Sequence, residues 1–464
     1  MTFLNLTALA KPSGSCLRPG LCARLAGLVL SLLAAAPWPA GAMTAIEHWQ
    51  QPNGAQIYLV RSPSIPMLDV RIDVDAGARR EPQEQVGLVS GMAGMFNKGV
   101  LARGDAPALD ENAVSQAWAD LGASFGASVG ADRLSFSLRT LTEPELLNQA
   151  VALAARQLGE PAFPAAVWER ERQRYVANLR ESYTRPASVA SRAFSTGVYG
   201  GHPYGRDMTE QTLARVNVEQ MRLFYAAYVS PCRTRVSLVG AIDRAQADAL
   251  VRQLLARLPD VPCSRLVPLT AVAEVPPLAQ ASEQRIPFKS TQASLLMGQP
   301  GFKRDDPDFF ALTVGNYILG GGGFVSRLTT EVREKRGLTY GVSSYFSPGL
   351  HAGAFTVGLQ TRADQVDQAL GVVRQVLREF VSEGPSEAEL RAAKDNLMGG
   401  FPLRLDSNAK LLENVANIAW FGLPLNYLQT WTGQIDRITA ADIKSAFQRK
   451  LQPERMLTVV VGGP

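Results

Sequence analysis

Short stretches of alternating apolar and polar residues recur along the chain, between longer stretches with helical periodicity. Residues 56–60, 68–75 and 135–139 alternate in the manner of half-buried strands. Residues 216–228 have apolar side chains at helical spacing, and residues 168–179 form a charged helical stretch. This mixture predicts an α+β fold in which helices pack on a mainly antiparallel sheet.

The pattern occurs twice along the chain. Residues 216–240 align with residues 438–462 at a constant shift of 222 positions, which places Pro231 on Pro453 and Gly240 on Gly462. Both segments have the pattern of an amphipathic helix, a proline-containing turn and an apolar strand. Two further pairs follow in the same order at shifts of 222 and 219: residues 168–179 with 390–401, and residues 135–151 with 354–370. The common order predicts an internal duplication.

The duplication predicts two homologous domains, residues 43–258 and residues 282–464. Residues 259–281 between them contain five prolines and little periodicity. Such a composition favours a stiff, extended linker. We therefore expect two domains of the same α+β architecture, each a mainly antiparallel sheet packed with helices.

The first 42 residues have the pattern of a secretory signal peptide. Lys11, Arg18 and Arg24 form a basic segment, residues 25–36 are apolar, and Ala40-Gly41-Ala42 provides small residues for cleavage. An N-terminal membrane anchor is the alternative, but the apolar stretch is too short to cross a bilayer. We expect a mature chain that starts near Met43, has no membrane span and lies in the periplasm.

Charge and cysteine content narrow the possible functions. Loss of the three N-terminal cations lowers the formal net charge from +5 to about +2, and no basic stripe with interleaved aromatics remains to bind nucleic acid. Cys232 and Cys263 remain after cleavage, and two cysteines alone cannot make a zinc site. Both a disulfide and two buried thiols are compatible with an exported chain, and we predict the disulfide.

The second half carries the segment LGGGGFVSRLTTEVREKRGLTYGVSSY at residues 319–345. This segment resembles the C-terminal domain signature of the insulinase/pitrilysin family of zinc peptidases, especially its mitochondrial-processing-peptidase branch. Gly87-Leu88, the sequence FNKG at residues 96–99 and the loop YGGHPYG at residues 199–205 also resemble family segments. The resemblance extends over the whole mature chain and implies the family's processing-peptidase-like fold.

The resemblance also implies a place for zinc, which the family binds with an inverted H-x-x-E-H motif on a helix. The two histidines face the same way at i and i+4, and the glutamate activates the metal-bound water. Here Ser90 and Gly94 stand in place of the histidines and Ala93 in place of the glutamate. The downstream ligand position falls on Asn178, or on Glu181 after a shift of one turn. We therefore predict that this chain binds no metal.

No other catalytic set replaces the motif in the sequence. His48, His202 and His351 are far apart, and a turn or capping role is the simplest interpretation of His202 before Pro203. Neither a Gly-x-Ser-x-Gly elbow nor a phosphate-binding Gly-Lys-Ser/Thr sequence is present. The four glycines at residues 320–323 are interpreted as a tight turn between helices.

One functional part of the signature remains. In active members of the family, an arginine and a tyrosine seven residues apart bind the substrate backbone and help to stabilise the transition state. Arg333 and Tyr340 match this pair, with Gly337 between them. Without the resemblance, Arg333 would be assigned to a solvated charge run and Tyr340 to a strand core. With it, both are predicted to bind substrate.

The resemblance implies a non-catalytic, substrate-binding subunit of a heterodimeric periplasmic zinc metallopeptidase. The partner would be an H-x-x-E-H-containing subunit of the same family that supplies the zinc, and the substrate would be a peptide. The alternative is a structural or peptide-binding protein of the same fold with no proteolytic role. An enzyme with unusual ligands is a third, weaker interpretation.

Overall fold

The computed structural model of the protein describes residues 45–259 and 261–463, and the predicted signal peptide lies outside them. The first sheet has six strands: Glu47–Gln50 (β1), Gln56–Arg61 (β2), Met67–Val74 (β3), Ser124–Val129 (β6), Leu134–Leu141 (β7) and Thr234–Gly240 (β8). Gly99–Val100 (β4) and Leu109–Asp110 (β5) form a separate small ladder. The helices are Leu88–Met95 (α1), Glu111–Asp120 (α2), Pro144–Gly159 (α3), Ala165–Ser182 (α4), Pro186–Tyr199 (α5), Glu210–Leu213 (α6), Val218–Tyr228 (α7) and Arg244–Leu255 (α8).

The second sheet has five strands: Ser282–Ile286 (β9), Ser290–Pro300 (β10), Val342–Phe346 (β11), Ala354–Arg362 (β12) and Leu457–Gly463 (β13). Its helices are Phe309–Asn316 (α9), Val366–Glu383 (α10), Glu387–Gly399 (α11), Asn408–Phe421 (α12), Tyr427–Arg437 (α13) and Ala440–Lys450 (α14). No helix of the described residues is long and apolar enough to cross a membrane.

The two sheets have the same topology. The first follows the order β1-β2-β8-β3-β7-β6 and the second the order β11-β12-β10-β13-β9. If β1 is left out and the two sheets are read from opposite ends, each sheet begins with a parallel pair, which is β2/β8 in the first and β9/β13 in the second. The neighbours that follow are all antiparallel. Equivalent strands occur in the same sequence order in both halves. The α+β fold with two homologous, mainly antiparallel sheets is confirmed.

Each half supplies a helix that covers the other half's sheet. Helix α5, from the first half, packs on β10 and β13, where Ala190, Phe194 and Val198 meet Leu457 and Val459. Helix α12, from the second half, packs on β8 and β3 of the first sheet. The two helices occupy equivalent places in the duplicated sequence, so the exchange is reciprocal. The opposite face of the first sheet packs against helices of its own half in one core. The core of the second half also includes Ile46, Val60 and Val239 of the first half.

A disulfide joins Cys232 to Cys263, as predicted. Cys232 lies just before β8, and Cys263 lies in a short 3-10 turn of the connecting segment between α8 and β9. The bond closes a loop of 31 residues. It ties the connecting segment to the first sheet, where Arg233 also donates to the Val267 carbonyl.

Removal of this disulfide is expected to lower the free energy of unfolding by about 3–4 kcal/mol, because the open chain regains the entropy of a loop of this length. The change is Cys232→Ser with Cys263→Ser, measured by urea unfolding against the oxidised wild type. Equal midpoints for the two proteins would show that the loop is held by its packing alone.

Candidate functional site

Helix α1 carries the positions of the missing zinc motif, and a buried carboxylate fixes its first turn. Gly87 precedes the helix with φ of +106°, a conformation that favours glycine. The Glu81 carboxylate accepts hydrogen bonds from the N–H groups of Gly87 (3.1 Å) and Val89 (2.7 Å). Burial raises the pKa of Glu81 to about 7, although both N–H donors act in the opposite direction. The start of the helix is therefore rigid and sensitive to pH.

The raised pKa of Glu81 predicts that its contribution to stability is present at pH 4.5 and is lost as the pH rises through 7. The folded chain binds this proton more tightly than the unfolded chain does, so ionisation costs on the order of 3 kcal/mol. Glu81→Gln should remove this part of the pH dependence between pH 5 and 8 in urea unfolding. Glu84→Gln, at an exposed neighbour, should keep the wild-type dependence. Parallel profiles for wild type and Glu81→Gln would contradict the assignment.

An aromatic side chain of α4 lies against the motif positions of α1. The Tyr175 hydroxyl donates a hydrogen bond to the carbonyl of Ser90 at 3.1 Å. A β-carbon at Gly94 would lie only 3.0 Å from the same hydroxyl oxygen. Ala93 is buried in the core of the first half. None of Ser90, Ala93 and Gly94 offers a zinc-binding donor.

The sequence placed the downstream ligand position at Asn178 or Glu181 of helix α4, but a different residue of this helix contacts α1. Asn178 and Glu181 are exposed, and Glu181 pairs with Arg185, which lies just before the next helix. Tyr175, about one turn before Asn178, makes the contact instead. Trp168 lies seven residues earlier on the same face, and its ring would be 2.6 Å from a β-carbon at Gly91. The seven-residue aromatic spacing was the available signal for this packing.

The three histidines do not rebuild a metal site. His48 contacts Gln56 and stacks on Tyr58. His202 accepts a hydrogen bond from the Tyr204 N–H, which is the capping role predicted for it. The fold brings His351 to within 5.1 Å of His202, measured between ring centroids, although the two are far apart in sequence. Among residues 45–259 and 261–463, no three His, Cys, Asp or Glu side chains form a group that could hold a metal ion.

A variant in which the motif residues are restored is expected to bind less than one zinc ion per chain. In the triple variant S90H/A93E/G94H, Tyr175 blocks the second histidine, and overpacking should cost about 1–3 kcal/mol of stability. Metal content by mass spectrometry and urea unfolding measure the two effects. Adding Tyr175→Ala should recover part of the lost stability. One zinc per chain in the triple variant would overturn the blocking role of Tyr175, and one zinc in the wild type would overturn the predicted absence of metal.

Arg333 lies at the end of a helical turn, Thr329–Glu334, whose geometry depends on Gly337. Gly337 has φ of +61°, and its N–H donates to the Arg333 carbonyl at 2.8 Å. The Arg333 guanidinium lies over the ring of Phe324 at 4.6 Å from the ring centroid. Within the described chain, its side chain has no hydrogen bond and no carboxylate partner. Its donors are therefore free to bind a ligand.

Tyr340 lies just before β11 and is 87% exposed. The neighbouring Thr339 fixes the backbone by donating a hydrogen bond to the Gln360 carbonyl at 2.6 Å. Tyr340 borders a cavity of about 410 Å³ on the outer face of the second sheet, where Ala190 of α5 and Leu296 of β10 also line the wall. The tyrosine is thus a surface group beside a cavity, and the strand-core interpretation of it is wrong.

The two candidate positions are separate within this chain. No hydrogen bond, ion pair or ring contact among the described residues links Arg333 or Tyr340 to helix α1. The two halves therefore differ: the first has motif positions without metal ligands, packed against Tyr175, and the second has two side chains with free donors. The run of glycines is not a simple tight turn: Gly320 and Gly321 end the π-helical segment Tyr317–Gly321, and Gly323 begins a short 3-10 helix. A β-carbon at Gly320 would lie 2.4 Å from the Ser344 hydroxyl.

Comparisons with known proteins agree with this description. Residues 215–397 match the family described as "Peptidase M16 inactive domain". The "Uncharacterized zinc protease YmxG" of Bacillus subtilis is 24% identical over 375 residues, which are 80% of this chain and 88% of that protein. The "Non-peptidase homolog YmxG" of Helicobacter pylori is 25% identical over 415 residues, which are 86% of this chain and 90% of that protein. A solved peptidase M16 inactive domain from Pseudomonas fluorescens is 33% identical, with a TM-score of 0.83 and coverage of 90% of this chain and 98% of that one.

Proposed function

Because this chain belongs to the peptidase M16 family of insulinase-type zinc peptidases, we propose that it is the non-catalytic, substrate-binding subunit of a heterodimeric zinc metallopeptidase. The partner is a family member that retains the H-x-x-E-H motif and supplies the zinc. The substrate is a peptide held between the two subunits. The observation that carries the proposal is the contrast between the motif positions, which lack metal ligands and pack against Tyr175, and the free side chains of Arg333 and Tyr340.

The chemistry of the two free side chains supports a role towards a peptide. A guanidinium can donate two parallel hydrogen bonds to a peptide carbonyl or carboxylate. A phenol hydroxyl donates one hydrogen bond to an oxygen that gains negative charge during attack on the peptide bond. The open edge strand β11 starts two residues after Tyr340, and extended peptides commonly add a strand to such an edge.

We place this subunit in the periplasm. The support is the signal-peptide pattern of residues 1–42 together with the Cys232–Cys263 disulfide. Disulfides form and persist in oxidising compartments, which the periplasm provides.

Co-purification tests the proposal. The full-length protein, tagged at its C-terminus, is isolated from the periplasm of its own organism and assayed for bound partner, zinc and cleavage of a mixed peptide library. We expect a partner of the same family at equimolar amount, one zinc per pair, and activity in the pair alone. A partner from outside the family, or a pair without peptidase activity, would instead support a scaffold function.

A further inference from the structure

A second cavity, of about 430 Å³, is lined by arginines and aromatic rings. Arg133 comes from the β7 hairpin of the first half, whereas Arg304 and Arg404 come from the second half. Tyr427 and Trp431 of α13 supply aromatic walls. Two asparagines also line this cavity, whereas no aspartate or glutamate does. The cavity is therefore positively charged, with aromatic and aliphatic side chains forming part of its wall.

The three guanidinium groups differ in how their charge is balanced. Arg133 lies 3.4 Å from the Asp73 carboxylate and donates to the Asn417 side chain. Arg304 and Arg404 have no carboxylate partner within the described ranges. By contrast, Arg449 and Lys450, which line a neighbouring cavity, pair with Asp308 and Asp306. Within the described ranges, the positive charges of Arg304 and Arg404 are thus not balanced by a carboxylate.

Aromatic contacts hold these two side chains in place. The Arg304 guanidinium lies 3.7 Å from the centroid of Phe309 and donates to the Tyr427 hydroxyl at 2.7 Å. Arg404 lies 5.4 Å from the centroid of Trp431. Arg304, Arg404 and Tyr427 line the same cavity. Burial raises the pKa of Tyr427, while Arg304 and Arg404 lower it. Stacked guanidinium groups keep their edges free to bind carboxylates.

We propose that this cavity binds a small organic anion, a carboxylate attached to an aromatic or other apolar body. The carboxylate accepts hydrogen bonds from Arg304 and Arg404, and the apolar body packs against Trp431 and its neighbours. The cavity volume is in the range of small-molecule sites. Low-dielectric walls strengthen the attraction between the unbalanced cations and an anion. This inference does not depend on the proposed peptidase role, because it uses residues of this chain alone.

Binding of 3-phenylpropionate to the full-length mature protein tests the proposal, with 3-phenylpropionamide as the neutral analogue. Ligand-detected NMR and tryptophan fluorescence follow the titrations. We expect saturable binding of the carboxylate with a Kd of about 1 mM or lower, and at least tenfold weaker binding of the amide. Absence of saturation, or equal binding of the two probes, would overturn the proposal.

Two substitutions locate the site. Arg404→Gln and Arg304→Gln should each weaken binding of 3-phenylpropionate about tenfold or more. Arg404 is exposed, so its variant should keep the wild-type unfolding midpoint, and this variant is decisive. Arg378→Gln is the matched control, since this exposed arginine lies in another cavity near Glu454. Unchanged affinity in a folded Arg404→Gln protein would exclude this cavity as the site.

Discussion

Replacing Tyr340 by phenylalanine is expected to lower the turnover of the proposed heterodimer about 100-fold or more, with no change in assembly. Loss of one hydrogen-bond donor to a developing oxyanion costs about 3 kcal/mol of transition-state stabilisation. The ring of Tyr340 is exposed, and its hydroxyl has no hydrogen-bond partner within the described chain. The fold therefore gains nothing from this hydroxyl, so an effect on turnover reports its contact with substrate. Turnover per heterodimer is measured after size exclusion confirms assembly.

Tyr345→Phe is the matched control, because Tyr345 lies on β11 close to Tyr340 and is also exposed. It should leave turnover unchanged. Arg333→Ala should reduce turnover together with substrate affinity, since the proposed role of its guanidinium is to bind the substrate before and during the reaction. A Tyr340→Phe heterodimer that assembles and cleaves at the wild-type rate would contradict a role in the active site. Loss of assembly without loss of turnover per complex would assign Tyr340 to the subunit interface.

Much of the fold could be predicted from periodicity and internal repetition. The predicted strands at residues 56–60, 68–75 and 135–139 lie within one or two residues of β2, β3 and β7. The repeat implied two sheets of the same topology, because homologous segments adopt the same local structure. The reciprocal exchange of α5 and α12 could not be read from the repeat, since each helix could equally have packed on its own sheet.

The candidate site, like the fold, could be predicted from the sequence only in part. The loss of the metal ligands at Ser90, Ala93 and Gly94 follows from register alone. The side chain that packs beside these positions does not follow from register, because the contact between Tyr175 and Ser90 depends on how α4 crosses α1. The approach of His351 to His202 is likewise a tertiary contact over 149 positions of sequence. Register therefore revealed the absence of the motif residues, whereas the packing is the reason to expect that restoring them alone will fail.

The helix exchange implies that the two halves unfold together. Besides the exchanged helices, the Asp132 carboxylate of the first half accepts hydrogen bonds from the Arg79 side chain at 2.9 Å and the Tyr204 hydroxyl at 2.6 Å. It also accepts one from the Leu350 N–H of the second half at 3.0 Å. Separating the halves would expose the apolar face of α5 and leave this buried carboxylate short of a donor. Both effects favour one cooperative transition.

Phe194→Ala is expected to lower the free energy of unfolding by about 3–4 kcal/mol and to keep a single transition. Phe194 is 6% exposed and packs against β10, where its ring would lie 2.9 Å from a β-carbon at Gly298. The substitution leaves a cavity between a first-half helix and the second sheet, so the loss of stability must reach both halves. Urea unfolding is followed by circular dichroism and by tryptophan fluorescence, because Trp168 and Trp431 lie in different halves.

Phe324→Ala, at an exposed phenylalanine, is the control and should cost less than about 1 kcal/mol. Two separate transitions, with only one shifted by Phe194→Ala, would show that the halves are independent domains despite the exchange.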